Sequence, residues 1–100
     1  MTCRSEFTLV AQAQILALEP RLRRAVRERV VRICQDPHFY GMPSVSPPYP
    51  PGHMMHEFTD HSCCHLLCIL FDYDGSGLIT FVGVGHIHYA DPIPPLFPLE

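Results

Sequence analysis

The sequence predicts an α+β domain in which two N-terminal helices pack on an antiparallel sheet, in the order β-α-α-β-β-β. Two helical stretches lie in the first third of the chain, and three stretches of β character follow in the second half. A chain of 100 residues has the size of one domain with one core in two layers. We assign residues 1–91 to this domain and residues 92–100 to a proline-rich C-terminal tail.

The helical half begins with a short strand over residues 2–7, which alternate weakly in polarity. Thr8 then suits the N-cap of a helix over LVAQAQILALE, because its hydroxyl can accept a hydrogen bond from an amide of the first turn. Pro20 suits the first turn of a second helix, which should end at Asp36-Pro37 because the residue before a proline is disfavoured in helical geometry. Its apolar residues recur at helical spacing and predict one buried face: Leu22, Ala25, Val26, Val30, Ile33 and Cys34.

The β half follows an extended loop over residues 43–52, which contain five prolines and cannot form a helix or a central strand. The runs MMHEFT, CCHLLCILFDY and LITFVGVGHIHY then predict three strands. The motif DGSG between the last two runs predicts a hairpin. The uninterrupted apolar run of residues 66–71 predicts a central strand that is buried on both faces.

Composition excludes several classes of protein. The hydrophobic fraction is 47% and the charged fraction 17%, which indicates a folded chain rather than a disordered one. The longest apolar run is far too short to span a membrane, and the first residues lack the pattern of a signal peptide, so we expect a soluble cytoplasmic protein. Five cysteines without a repeating spacing argue against a secreted disulfide framework and favour reduced, partly buried thiols.

Basic residues are confined to the first third of the chain. All seven are arginines between Arg4 and Arg32, whereas the chain from residue 33 onwards carries seven acidic residues and neither lysine nor arginine. A nucleic-acid surface in the second half would have to rely on histidine, which is mostly neutral at pH 7. The arginines that we expect to bind RNA or a protein partner are Arg4, Arg21, Arg24, Arg27 and Arg32.

Several local motifs occur in a fixed order along the chain. They are EFT near the start, a first helix ending in ALEP, an arginine-rich second helix ending in DP, and then CILFDYD and GVGHIHYADP. Their order and spacing, over nearly the whole chain, resemble the RelE/ParE superfamily of bacterial toxins from toxin–antitoxin pairs. The resemblance implies the same α+β fold and a cognate antitoxin protein as the partner. We expect no cofactor and no membrane association.

The resemblance also implies a reaction. Nuclease members of the superfamily cut mRNA on the ribosome: they activate a ribose 2′-hydroxyl, protonate the leaving oxygen and neutralise the phosphate. YoeB-like members end in a catalytic His-Tyr pair, which His88-Tyr89 resembles, and the neighbouring Gly85-His86 also has a counterpart in the superfamily. The leading hypothesis is therefore the toxin of a type II toxin–antitoxin pair, acting as an mRNA endonuclease with His88, His86 and Tyr89 as catalytic residues.

Two positions count against that chemistry. Ile87 stands where most members carry an arginine, and Cys68 stands near the position of a second arginine. Losing one oxyanion-stabilising donor lowers the rate about 10²–10³-fold in well-studied enzymes. The alternative is a non-catalytic binding module on the same scaffold, either bound to an antitoxin or directed at another protein such as gyrase.

The histidines themselves allow other interpretations. Alternation along the last predicted strand puts His86 and His88 on one face with Val82 and Val84, which suits either a shared site or two solvated side chains at a strand end. A third hypothesis is metal binding by the cluster HMMHEFTDHSCCHLLC, which would need a cross-strand residue such as His56 or His86 to complete a site. We assign no metal ligand.

Overall fold

A computed structural model describes residues 3–43, 52–60 and 65–88, without the side chains of residues 87 and 88. The elements are β1 (Arg4–Phe7), α1 (Leu9–Ala17), α2 (Pro20–Gln35), α3 (Pro37–Tyr40), β2 (Met42–Pro43), β3 (Met54–Asp60), β4 (His65–Tyr73) and β5 (Leu78–His88). The α+β prediction is confirmed, and two very short elements, α3 and β2, are added between the second helix and the first long strand. None of the helices in this part of the chain is long and apolar enough to cross a membrane.

The five strands form one sheet in the order β1-β5-β4-β3-β2. Strands β3, β4 and β5 pair antiparallel, as predicted, and the added β2 pairs antiparallel with β3, whereas β1 pairs parallel with β5. The sheet is therefore mixed rather than wholly antiparallel. A tight turn forces its two strands to run antiparallel, but β1 and β5 lie at opposite ends of the sequence and no turn links their directions.

Local signals set the helix ends. The Thr8 side chain accepts a hydrogen bond from the Ala11 amide at 3.1 Å, so the predicted N-cap is confirmed. Helix α2 begins at Pro20 and ends before Asp36. The Asp36 carboxylate then accepts a hydrogen bond from the Phe39 amide at 3.2 Å and caps α3. Pro37 thus stops one helix and starts a single turn of another.

The core lies between the helices and one face of the sheet. Its largest fully buried side chains come from α2, β4 and β5: Leu22, Val26, Ile33, Leu67, Ile69, Phe71, Ile79 and Phe81. The Phe7 ring stacks on the Phe81 ring with centroids 4.9 Å apart. The Arg29 guanidinium lies 4.7 Å from the centroid of the Phe58 ring, so α2 also covers β3 on this face. We call it the helix-covered face, and the opposite face the second face.

A bulge in β5 decides which residues reach the helix-covered face. Phe81 pairs with Phe71, but the next pair is Gly83 with Leu70, so Val82 is the extra residue. Directly paired residues point to the same face, and Val84 therefore lies on the face of its partner in the core. The predicted placement of Val82 on the face of Val84 and His86 is wrong, because the bulge interrupts the alternation at that residue.

Side chains from α1 and its N-cap residue form hydrogen bonds with the backbone of β5 at the bulge. The Thr8 hydroxyl donates to the Val82 carbonyl at 3.4 Å, and the Val84 amide donates to the side-chain oxygen of Gln14 at 2.7 Å. β1 ends at Phe7, beside Phe81, so within the described residues β5 has no strand neighbour on that side beyond the bulge. Backbone amides that are buried without a partner are costly, and α1 supplies the partner here.

Candidate functional site

Two histidine rings meet at the end of the sheet that lies farthest from the β4–β5 turn. The His65 and His86 ring centroids are 5.3 Å apart, with the rings inclined by 42°. His65 lies on β4 and is only 8% exposed, whereas His86 on β5 is exposed to solvent. His86 pairs with Leu67, so both rings belong to the helix-covered face. Adjacent imidazoles can hold and exchange a proton, since each neutral ring has one donor and one acceptor nitrogen.

A carboxylate from the start of α2 lies beside this pair. Glu19 is the N-cap residue of α2, and its Oε1 lies 3.8 Å from Nε2 of His65. That distance is too long for a hydrogen bond, so the carboxylate lies near the ring without a direct bond between these two atoms. Arg21 follows two residues later, at the same end of the helix. The histidine pair thus lies beside the start of α2, where the helix dipole is positive.

The predicted catalytic residues are only partly covered by the described structure. The backbone of His88 pairs with His65, so His65, His86 and His88 occupy neighbouring positions of the sheet. The side chain of His88 and all of Tyr89 lie outside the described part. The structure therefore brings His86 together with His65, which sequence reasoning had assigned only to the cluster of histidines and cysteines.

The predicted arginines do not gather at the histidines. Arg4 pairs with Leu78 at the opposite end of β5, roughly 25 Å from His86 at about 3.3 Å per residue. Arg32 pairs with Glu28 at 2.9 Å near the end of α2, with both side chains well exposed. Arg21, Arg24 and Arg27 lie along the first three turns of α2. Arg4 is thus too distant to replace the arginine missing at Ile87.

A small cleft opens between α1, α2 and β1. Its volume is about 130 Å³, close to the volume of an engineered cavity that accepts a benzene ring. Apolar side chains and two guanidinium groups line it: Phe7, Ile15, Arg23, Val26, Arg27 and Val30. Arg23 Nε donates to the Leu18 carbonyl at 3.0 Å, which holds one of these groups in place. The cleft suits an apolar side chain with a carboxylate next to it.

The outer side of α1 is apolar and carries no charge. Leu9 is 83% exposed and Leu16 is 71% exposed, and Val10 is also exposed. Leu9 and Leu16 are seven residues apart and lie on the same side of the helix. Large apolar side chains grouped on one helix in this way are typical of a surface that another protein covers.

The second face of the sheet is acidic. Phe7 belongs to the core, so alternation along β1 turns Arg4 and Glu6 to the second face. Asp72 lies on the same face through the pairs Glu6–Thr80 and Thr80–Asp72. Glu57 pairs with Cys68, whose neighbours Leu67 and Ile69 face the core, so Glu57 also lies on the second face. Among the described residues this face carries three carboxylates and one arginine, which disfavours a bound phosphate.

A histidine–carboxylate pair lies at the start of β3 on this second face. His53 Nδ1 and Asp72 Oδ1 are 2.7 Å apart, and both side chains are partly exposed. The sequence offered no signal for this pair, because β3, the segment before β4 and most of β4 separate the two residues. The short contact fixes the end of the proline-rich loop against β4.

His56 is a half-buried histidine on the helix-covered face. Its Nδ1 lies 2.9 Å from the Tyr40 carbonyl, and its Nε2 is buried without a hydrogen-bond partner. Burial lowers the pKa of His56; the Tyr40 hydrogen bond opposes that shift, while the positive charges of Arg29 and Arg32 add to it. The ring also packs against Tyr40 and Phe58.

Acid is therefore expected to destabilise the protein through His56. Because its pKa is lower in the folded than in the unfolded chain, the unfolded chain binds the proton first, and stability falls as the pH drops below about 6.5, the ordinary value. Urea unfolding at pH 7.5 and 5.5 measures the loss. In His56→Phe the pH-dependent loss should shrink, whereas in His38→Gln, altered at an exposed histidine of α3, it should match the parent. Equal losses in all three proteins would contradict this assignment.

The described residues contain no cluster of side chains that would support the metal hypothesis. Within residues 3–43, 52–60 and 65–86, no three histidine, cysteine or acidic side chains converge on one point. His65 and His86 form the cross-strand contact that a site would need, but His61, Cys63 and Cys64 lie outside the described residues. Cys68 is buried on β4.

The architecture matches solved toxin structures. A chain of the RelBE2 toxin–antitoxin complex from Mycobacterium tuberculosis aligns with a TM-score of 0.69 and 19% identity, over 87% of this chain and 100% of that chain. The isolated RelE toxin of E. coli aligns with a TM-score of 0.62 and 12% identity, over 89% of this chain and 88% of that chain. The chain has the fold of the RelE toxins.

The RelE-type fold is also found in the intact E. coli RelBE toxin–antitoxin complex, which aligns with a TM-score of 0.56 and 13% identity, over 83% of this chain and 94% of that chain. No protein-family model matches the chain, and no curated protein matches it. At these identities the likeness establishes the RelE-type fold, and function has to be argued from the side chains that this chain places on it.

Proposed function

We propose that the protein is the toxin component of a type II toxin–antitoxin pair and acts in the cytoplasm. The observation that carries the proposal is the extent of the structural likeness. It covers 87% of this chain and the whole of a chain from a toxin–antitoxin complex, and it also extends to an isolated toxin. Because a shared fold does not imply a shared function, the proposal also rests on the surface of the chain and on its histidines.

The surface supports a protein partner of antitoxin type. The apolar side of α1 and the cleft beside it adjoin α2, which carries six arginines. A partner segment with alternating apolar and acidic residues would cover the exposed leucines and pair with the guanidinium groups. A second copy of the chain fits less well, since a symmetric dimer through this surface would bring two sets of arginines together.

The histidines support the finer proposal, that the toxin is a ribosome-dependent mRNA endonuclease. In this proposal His86 and His88 transfer the protons: one accepts the proton of the attacking 2′-hydroxyl and the other donates to the leaving 5′-oxygen. Tyr89 assists at the phosphate or the base. The products are a cyclic or 3′-phosphate end and a 5′-hydroxyl end. His65 acts as a positioning residue, because it packs against His86 from the neighbouring strand.

A non-catalytic binding module is the second candidate. The position of Arg4 favours it, because Arg4 lies at the opposite end of β5 from His86 and cannot neutralise a phosphate held at the histidines. Cleavage of translated mRNA by the purified protein would reject this candidate.

Expression in a bacterial host tests the toxin proposal. Induction of the chain alone should arrest growth, and co-expression of a small acidic protein from the neighbouring reading frame should relieve the arrest. The variant with both His86→Ala and His88→Ala should grow, with RNA cleavage in a translating extract reduced at least about 100-fold, as for loss of a general acid–base group. Growth arrest that persists in this double variant would overturn the catalytic assignment.

His38→Ala is the matched control, because it removes an exposed histidine on α3. It should still arrest growth. The melting temperatures of all variants establish that loss of toxicity is not loss of the fold. If the parent protein neither arrests growth nor binds the neighbouring acidic protein, the toxin proposal itself fails.

A further inference from the structure

Two cysteines from distant parts of the sequence meet at one edge of the helix-covered face. Cys3 precedes β1, and Cys34 lies in the last turn of α2. The Cys3 amide donates a hydrogen bond to the Cys34 carbonyl at 2.8 Å. A disulfide spans Cα separations of about 4.4–6.8 Å. The hydrogen bond puts the backbones of the two residues in direct contact, which such a short separation requires.

The two side chains also point into the same layer. Cys3 is partly buried and packs against the core, which lies between the helices and the sheet. Cys34 is buried in that layer, and its thiol hydrogen-bonds with Ser5, the residue two positions along from Cys3. Burial raises the pKa of the Cys34 thiol, and the neighbouring Cys3 raises it further. The two thiols are thus close enough to interact electrostatically.

The two thiols differ in their exposure to solvent, and this gives them different roles. Cys3 is partly exposed, whereas Cys34 is 5% exposed. A small disulfide in solution can reach Cys3 but not Cys34. Because Cys34 is buried beside Cys3, it is placed to resolve a mixed disulfide that forms on its neighbour.

We propose that Cys3 and Cys34 form an oxidation site, at which a low-molecular-weight disulfide such as glutathione disulfide converts the thiol pair into an intramolecular bridge. The Cys3 thiolate attacks one sulfur of glutathione disulfide, forms a mixed disulfide and releases one glutathione. The Cys34 thiolate then attacks the Cys3 sulfur and releases the second glutathione. The two thiols lose two electrons and two protons, and both glutathione molecules leave reduced.

The bridge would attach the first strand to the end of the long helix. β1 is only four residues long and pairs with β5 alone, so its attachment depends on few hydrogen bonds. A cross-link from Cys3 to Cys34 closes a loop of about 30 residues and restricts the unfolded chain. The oxidised protein should melt at least about 5 °C higher than the reduced protein.

Mass spectrometry of the full chain tests the site independently of any toxin activity. The protein is purified reduced with Cys63→Ser and Cys64→Ser, so that Cys3, Cys34 and Cys68 remain, and is incubated with glutathione disulfide at pH 8. The expected product is about two mass units lighter, without a glutathione adduct, and its peptide map joins Cys3 to Cys34. In 6 M urea the same product should form at least about ten times more slowly, because unfolding separates the two residues.

Two further variants make the result decisive. Cys34→Ser should stop at a glutathione adduct on Cys3, while Cys68→Ser should still form the bridge. Circular dichroism before oxidation establishes that each variant is folded. A bridge that involves Cys68, or a parent protein that accumulates only glutathione adducts, would overturn the proposal.

Discussion

Replacing Phe71 with alanine is expected to lower the free energy of unfolding by about 3–5 kcal/mol, the usual cost of removing a buried aromatic ring. Phe71 is 0% exposed on the central strand β4, and its ring lies 6.0 Å from that of Phe81. Gly41 closes over it so tightly that an added Cβ there would lie 2.6 Å from the Phe71 ring. Single domains are stable by about 5–15 kcal/mol, so this loss would remove a substantial share of the stability of the fold.

Urea unfolding followed by circular dichroism measures this loss. Phe39→Ala is the matched control, because Phe39 is a phenylalanine on α3 that is 75% exposed. Its stability should change by no more than about 0.5 kcal/mol. Comparable losses in the two variants would mean that the ring of Phe71 is not part of the packed core.

Reversing the charge of Arg27 is expected to weaken binding of the acidic partner at least about 30-fold. A loss of this size is at the lower end of what breaking a desolvated charge pair at an interface costs. Arg27 lines the cleft between α1, α2 and β1, where an apolar side chain of the partner would be flanked by carboxylates. Arg27→Glu removes the attraction and adds a repulsion at the same point. Calorimetric titration with the protein from the neighbouring reading frame gives the dissociation constants.

Arg4→Glu changes the net charge by the same amount at an exposed position of β1. It should weaken binding less than about threefold in 0.15 M salt, because interactions between exposed charges are screened beyond about 8 Å. Equal losses for Arg4→Glu and Arg27→Glu would show that overall charge, and not the cleft, selects the partner. The melting temperatures of both variants separate binding from folding.

The parts of the fold that local signals control could be predicted from the sequence. Thr8 caps α1, Pro20 starts α2, and Asp74 shapes the predicted hairpin by accepting hydrogen bonds from the Ser76 and Leu78 amides. Gly75 and Gly77 take the positive φ angles that this turn requires. The direction of β1 depends on pairing between the two ends of the chain, and α3 and β2 are too short to leave a periodic pattern.

The site was harder to predict because one residue changes the register. Counting outward from the turn, the pairs Tyr73–Ile79 and Phe71–Phe81 would place Ile87 opposite His65. The bulge at Val82 moves every later pair by one position, so that His88 stands opposite His65 instead. Nothing in the apolar pattern of LITFVGVGHIHY marks that extra residue. The partnership of His65 with the two later histidines is therefore a product of the bulge.

The hydrogen bond from the Val84 amide to Gln14 has a further consequence for association between molecules. An unpaired strand edge accepts strands from other chains and leads to fibrous aggregation. Beyond the end of β1, the amide of Val84 is already occupied by the side chain of Gln14 at 2.7 Å. A foreign strand could align with this part of β5 only after α1 had moved aside. β1 and α1 thus protect two successive parts of the same edge of β5 against pairing with strands from other molecules.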